Sequence, residues 1–168
     1  MMDTLKYGFY FIVAILLQVL VFNHIAFLGY MNPYVYILFL LYLPAETSRG
    51  YLLIIAFLLG LGVDLFENSG GVHASASVVL AYFRPAFLRL VVRRQASTLE
   101  DLDISSFGLP SMLIYTIFAI LIHHFTLFML ESFRWSDIGI VLVRTLYSSL
   151  FTLIFVLIVQ LWNFRRRN

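Results

Sequence analysis

The sequence predicts an all-α, polytopic helical membrane protein, and three observations support this. Of the 168 residues, 62% are apolar and only 12% are charged, whereas a soluble domain carries about 25% charged residues. The apolar residues form long runs, and roughly 20 such residues cross the hydrocarbon core as a helix. The connections between these runs are too short for a separate soluble domain. We therefore expect residues 1–168 to form a single integral membrane domain.

Six apolar runs are the candidate spans. They lie at about residues 7–28, 34–43, 50–66, 72–92, 109–130 and 138–162. The first run lacks a clear small-residue cleavage site after it, so we interpret it as a retained helix rather than a signal peptide. All runs except the second are long enough to cross the hydrocarbon core.

The second run is unusually short. Pro33 and Pro44 bracket it, and as a helix residues 34–43 would cover about 15 Å, half of the hydrocarbon core. Proline is accepted in the first turn of a helix and breaks its interior. The segment therefore either crosses the membrane, shielded by neighbouring helices, or is re-entrant. In both cases its backbone must pack against protein.

Basic clusters indicate the side of the membrane. Arg89, Arg93 and Arg94 end the fourth run, and three further arginines occupy residues 165–167. Lysine and arginine are enriched in cytoplasmic loops. We therefore expect the C-terminus to be cytoplasmic, together with the loop 93–108, which begins basic and becomes acidic.

The position of the N-terminus depends on the second run. The loops at Glu67 and at 131–137 are expected outside and the turn at 44–49 inside. If residues 34–43 cross, the N-terminus is cytoplasmic and there are six spans; if they do not, the N-terminus is outside. Lys6 favours a cytoplasmic N-terminus and therefore six spans.

The stretch GLGVDLFENSGGVHASA, residues 60–76, predicts a tightly packed helical hairpin. Gly60 lies one helical turn before Asp64 and allows another helix to approach closely. Gly70 and Gly71 supply the backbone freedom of a tight turn. After the turn, small residues recur at helical spacing, which favours close helix packing in lipid. They are Ala74, Ser77 and Ala81.

Asp64 and His73 lie on either side of this turn. In the first interpretation, Asp64 caps the turn by accepting backbone N–H bonds from residues 68–71. In the second, it is a buried partner for an arginine or a docking contact. His73 begins the next helix and can approach Asp64 across the turn. Two such groups do not make a metal site, so we predict no metal and no cofactor.

Two arginines lie within apolar runs, where an ionisable residue is a candidate functional site. Arg84 is about 18 Å from the outer end of its helix. It either extends to the inner surface or pairs with Glu46. Arg144 lies near the outer end of the last run. It either extends outward or pairs with Asp64.

Patterns of known catalytic sites are missing from the sequence. It contains no cysteine and no metalloprotease, serine-hydrolase or phosphate-loop motif. Ser75 and Ser77 near His73 are explained by helix packing. His123 and His124 are adjacent on a helix and point about 100° apart, so they cannot share a ligand. We therefore expect no enzyme, and no nucleic-acid partner.

Polar residues near the end of the first run are expected to hydrogen-bond between helices. They are Gln18, Asn23 and His24.

The hairpin residues resemble those of MreD, the bacterial rod shape-determining membrane protein family. The resemblance lies in GLGVDLF at 60–66, with its Gly-x-x-x-Asp-Leu pattern, followed by GVHA at 71–74. The small size, the basic C-terminus and VLVRT at 141–145 also fit. The family commonly has Pro-Leu-Gly before the helix, whereas this chain has Ser-Gly-Gly at 69–71.

The resemblance implies a role rather than a reaction. MreD-like proteins act in the bacterial inner membrane as part of the peptidoglycan-elongation machinery that maintains rod shape. The implied partners are MreC, the glycosyltransferase RodA with its transpeptidase and, indirectly, the MreB filament. Candidate partner-binding or structural residues are Gly60, Asp64, Gly70, Gly71, His73, Arg84 and Arg144.

The resemblance also implies an alternative. MreD-like folds are similar to the substrate-binding subunits of energy-coupling-factor vitamin transporters. A transporter subunit of this kind would have a cavity open to the outside. In this chain Asp64, His73 and Arg144 are expected to line it.

Overall fold

The computed structural model describes residues 2–25, 32–92 and 109–165. All regular structure in these ranges is helical, which confirms the predicted all-α class. The helices are α1 (Met2–Leu20), α2 (Ile37–Tyr42), α3 (Arg49–Glu67), α4 (Val72–Val92), α5 (Leu109–Ser132) and α6 (Ile138–Arg165). Short 3-10 turns lie at Phe22–His24 and Trp135–Asp137.

Five helices among the described residues are long and apolar enough to cross a membrane: α1, α3, α4, α5 and α6. This agrees with a multi-pass membrane protein. By contrast, α2 has six residues and extends about 9 Å. The predicted loop 93–108 with Arg93 and Arg94, the end of the first run at 26–28, and residues 166–167 lie outside the described residues.

The helices α3 and α4 approach each other closely enough for backbone contact at Gly60. A Cβ atom added at Gly60 would lie 2.4 Å from the carbonyl oxygen of His73 and 2.5 Å from the Cα of Ala74. Both are backbone atoms, so neither can move aside. The predicted close approach at Gly60 is therefore confirmed, and Ala74, Ser77 and Ala81 are buried beside it.

The turn of this hairpin requires left-handed backbone. Gly70 has φ 66° and Gly71 has φ 93°, conformations that glycine adopts without a steric penalty. Asn68, with φ 54°, ends α3. We call this end of the bundle the Asp64 end, and the end at which α3 begins the Arg49 end.

Residues 32–48, which we call the short segment, run antiparallel to α1. The N–H of Val35 bonds Gln18, near the C-terminal end of α1. Pro44, at the other extremity of the segment, shares a cleft with Tyr7, near the start of α1. The chain therefore returns to the Arg49 end before α3 begins. The short segment is therefore not a full-length helix. It is also not a loop that starts and finishes at the Asp64 end.

The short segment is enclosed by the other helices. Most of its apolar side chains are buried, including Tyr36, Ile37, Leu40 and Leu41, all at 1% exposure or less. An interior position of this kind is where a broken helix can exist at membrane depth, because protein rather than lipid surrounds its backbone.

Candidate functional site

Asp64 caps the start of α4. Its Oδ1 accepts the backbone N–H of His73 at 3.0 Å, and its Oδ2 accepts the N–H of Ala74 at 2.8 Å. Ser69 donates its hydroxyl to Oδ1 at 2.5 Å. The capping interpretation is therefore correct in kind, but the backbone donors belong to the first turn of α4 rather than to residues 68–71. These N–H groups have no partner within the helix, and Asp64 supplies one.

His73 lies between two carboxylates. Its Nδ1 is 3.0 Å from Oδ1 of Asp64 and 3.0 Å from the hydroxyl of Ser69. Its Nε2 is 3.4 Å from Oε2 of Glu67, within ion-pair distance but not aligned for a hydrogen bond. The predicted approach of Asp64 and His73 is confirmed.

The arrangement of Ser69, His73 and Asp64 differs from a hydrolase triad. In a triad the nucleophile and the carboxylate occupy opposite ring nitrogens of the histidine, whereas here both contact Nδ1. The two serines considered from the sequence bond elsewhere. Ser75 donates to the carbonyl of Gly71, and Ser77 to the hydroxyl of Tyr36.

Arg144 pairs with Glu131, not with Asp64. Its Nη2 is 3.0 Å and 3.2 Å from the two carboxylate oxygens of Glu131 at the end of α5. Its guanidinium also lies over the ring of Phe128, 4.3 Å from the centroid. The predicted pairing with Asp64 is wrong because Asp64 already accepts bonds at both oxygens, while Glu131 faces Arg144 across the α5–α6 contact.

Gln18 hydrogen-bonds the backbone at the start of the short segment. Its Oε1 accepts the N–H groups of Val35 at 2.8 Å and Tyr36 at 3.2 Å. Its Nε2 donates to the carbonyl of Pro33 at 3.1 Å and to Asn23 at 2.8 Å. One buried amide thus bonds three backbone groups that precede α2. The sequence predicts that Gln18 hydrogen-bonds between helices; its partners are instead the backbone before α2 and the side chain of Asn23 in the turn after α1.

A second chain of bonds reaches the same point from α5 and α6. The N–H of Tyr34 donates to Oγ1 of Thr152 at 3.0 Å. Thr152 in turn lies 2.9 Å from Nε2 of His124, whose Nδ1 is 2.9 Å from the carbonyl of Ile120. Because that carbonyl only accepts, Nδ1 carries the proton and Nε2 accepts from Thr152.

Tyr36 connects the short segment to α4 and α5. Its hydroxyl accepts from Ser77 at 3.3 Å and lies 2.7 Å from Nε2 of His123. All three side chains are fully or almost fully buried. His123 and His124 have different partners, but their Nδ1 atoms lie only 3.5 Å apart. The predicted separation of the two rings is therefore not observed.

Arg84 hydrogen-bonds the backbone near the other end of the short segment. Its guanidinium donates to the carbonyls of Leu43 and Pro44, and its Nε donates to the hydroxyl of Tyr115 at 3.0 Å. That hydroxyl donates to the carbonyl of Leu41 at 3.4 Å. The carbonyls of Leu41 and Leu43, at the C-terminal end of α2, receive no N–H bond from within the helix. That of Pro44 also accepts the N–H and hydroxyl of Thr47. Arg84 is 1% exposed.

Both predictions for Arg84 are therefore wrong. The side chain does not extend to the surface, because it is buried against α2 and α5. It does not pair with Glu46 either, because Glu46 is exposed and the guanidinium bonds backbone carbonyls instead. The carbonyls of Leu43 and Pro44 lie within hydrogen-bond distance of the guanidinium, whereas no carboxylate of the described residues forms an ion pair with it.

Two clefts among the described residues lie away from the polar side chains at the Asp64 end. One of about 560 Å³ lies between α1, the short segment and α3, and a second of about 250 Å³ lies between α3 and α4. Neither is lined by Asp64, His73 or Arg144. Within the described ranges, no group of three or more His, Cys, Asp or Glu side chains could hold a metal ion.

The caps of the short segment at Thr152, Tyr115 and Arg84 are not predicted by the sequence. One sequence feature did indicate that such caps are needed. Two prolines delimit a helix that is too short to provide hydrogen-bond partners for most of its own backbone N–H and C=O groups. Such a helix in a membrane requires side-chain partners. What the sequence did not reveal was which polar side chains on other helices lie at the matching depth.

No protein-family model matches the sequence, and comparisons with curated proteins and with solved structures find no significant match.

Proposed function

We propose that this protein is a non-enzymatic scaffold of the peptidoglycan-elongation machinery in the bacterial inner membrane, similar to MreD. Its partners in this proposal are an MreC-like protein and a RodA-like glycosyltransferase with its transpeptidase, with the MreB filament connected indirectly. The hairpin motif at 60–66 and 71–74 supports the assignment to this machinery.

One observation supports a scaffold over a carrier of small molecules. The buried polar side chains of Asp64, Gln18 and Arg84 bond the protein's own backbone. A binding site presents polar groups toward a concave, ligand-sized space. Here these groups stabilise helix ends, so their role is to fix the relative positions of the helices.

Docking of partner helices would use the lipid-facing surfaces. Among the five long helices α1 is the least enclosed, because very few of its residues are buried. The last helix, α6, also exposes an apolar face. In this proposal α1, the short segment and α3 to α6 make six crossings. Both termini are then cytoplasmic, because α1 begins at the same end of the bundle as α3.

Purification of the tagged chain from the native membranes of a rod-shaped bacterium tests the proposal. We expect co-purification of the MreC-like and RodA-like proteins, and rounded cells when the chain is depleted. The alternative, a vitamin-binding transporter subunit, predicts recovery of ATPase subunits and a bound vitamin. That recovery, with normal cell shape on depletion, would contradict the scaffold.

A further inference from the structure

A cleft at the Arg49 end carries two arginines whose role is not explained by the bundle. It lies between the beginning of α3 and the second half of α4 and has a volume of about 250 Å³. Arg49 and Arg89 line it together with five apolar or aromatic residues: Leu53, Ala81, Tyr82, Phe83 and Ala86. The cleft thus combines a basic rim with an apolar wall.

Both guanidiniums are available to an anion. Arg49 and Arg89 are exposed, and neither forms an ion pair with a carboxylate of the described residues. Arg89 donates its Nε to the carbonyl of Pro85 at 3.2 Å. This bond engages only one of the five N–H donors of the guanidinium. Planar guanidiniums of this kind bind phosphate oxygens in a bidentate manner.

The apolar wall selects the kind of anion. Tyr82 and Phe83 are 69% and 40% exposed on the lipid-facing surface next to the arginines. A free phosphate would use only the rim, whereas a phospholipid would use both parts. The volume is below the 300 to 1,000 Å³ that is typical of pockets for drug-sized ligands, but a lipid occupies such a cleft only in part. Basic pockets between transmembrane helices on the cytoplasmic side bind anionic lipid headgroups.

We propose that this cleft is a binding site for an anionic phospholipid. The lipid phosphate contacts Arg49 and Arg89, and the first part of an acyl chain lies against Tyr82, Phe83 and Ala86. Because the site joins the start of α3 to the second half of α4, a bound lipid bridges the two helices at the end opposite the Asp64 turn. The α3–α4 hairpin is then stabilised by the Asp64 cap at one end and by the bound lipid at the other.

Titration of phosphatidylglycerol into the detergent-purified full chain tests the proposal, with native mass spectrometry reporting bound lipid. Each arginine near a membrane surface is worth about a fivefold change in affinity for anionic lipid. We therefore expect Arg49→Gln with Arg89→Gln to weaken retention by about 30-fold. Arg134→Gln, an exposed arginine at the other end of the bundle, should leave retention unchanged.

A second variant separates a lipid from a free phosphate. Ala86→Phe fills the cleft and leaves both arginines in place, so it should reduce phosphatidylglycerol retention without altering the response to inorganic phosphate. Phosphatidylcholine should bind weakly to the wild-type chain. The proposal is overturned if the double arginine variant retains phosphatidylglycerol like the wild type. It is also overturned if inorganic phosphate displaces the lipid at equal concentration, or if Ala86→Phe has no effect.

Discussion

The α3–α4 hairpin and the short segment solve the same physical problem in different ways. Both contain helix ends within the apolar bundle, and both need partners for backbone groups. In the hairpin, Asp64 bonds the N–H groups of His73 and Ala74, about ten residues away in the sequence. In the short segment, the partners come from α1, α4, α5 and α6. The hairpin is therefore a local structure, whereas the short segment depends on the complete bundle.

This difference determines how each region should respond to substitution. Damage to the hairpin should separate two neighbouring helices. Damage to a cap of the short segment should leave backbone groups without partners in the interior, where each unsatisfied group destabilises by about 1–3 kcal/mol.

The largest effect is expected at Gly60. We predict that Gly60→Ala lowers the free energy of unfolding by about 3 kcal/mol, because overpacking of this size costs about 1–3 kcal/mol and the atoms that the new Cβ meets are backbone. The control is Gly139→Ala on α6, where a Cβ meets nothing within 4 Å. Unfolding in mixed micelles measures both variants. Equal stability of the two would mean that α3 and α4 can separate at no cost.

The next largest effect is expected at Gln18. We predict that Gln18→Leu destabilises the protein by about 2 kcal/mol, because it leaves two N–H groups and one carbonyl of the short segment without their partner. Gln160→Leu is the matched control. Gln160 is also a buried glutamine on a membrane helix. Among the described residues it bonds only the side chain of Thr116, and such bonds contribute about 0.6 kcal/mol on average. The same unfolding measurement that is used for Gly60 applies. Similar losses in both variants would contradict the capping role.

The hairpin could largely be predicted from the sequence, and the short segment could not. Gly60, Asp64, Gly70 and Gly71 lie within one stretch, so spacing alone brings them to a single turn. The partners of the short segment lie on separate helices. Arg84 illustrates the difference: its position along α4 follows from the sequence, but its partners, Leu43 and Pro44, depend on how α4 is rotated against the segment. Helix rotation is set by packing, which a single sequence does not encode locally.

A smaller effect is expected from the two ionisable residues of the hairpin. We predict that Asp64→Ala lowers stability by about 1–2 kcal/mol, as for loss of a helix N-cap, and reduces co-purification of partners more than His73→Ala does. The reason is that alanine at position 73 keeps the backbone N–H that Asp64 binds. Partner recovery from native membranes compares the two variants. Wild-type recovery in both would count against any role of this turn in assembly.

The smallest effect is expected at Arg144. Its pair with Glu131 is partly exposed, and such pairs contribute less than about 1 kcal/mol. We predict that Arg144→Glu is partly rescued by Glu131→Arg, whereas Arg144→Asp is not rescued by Asp64→Arg. Double-mutant cycles of unfolding give both coupling energies. Coupling of Arg144 to Asp64 and not to Glu131 would reverse this assignment.

The short segment carries the chain across the bundle, so that α1 and α3 begin at the same end. Because the protein contains no cysteine, single cysteines can report the side of each position. The measurement is labelling of Lys6→Cys, Glu46→Cys and Ser136→Cys in intact cells with a membrane-impermeant maleimide. If the short segment crosses the membrane, only Ser136→Cys reacts before the membrane is permeabilised. Reaction of Lys6→Cys together with Ser136→Cys, while Glu46→Cys stays protected, would contradict this crossing.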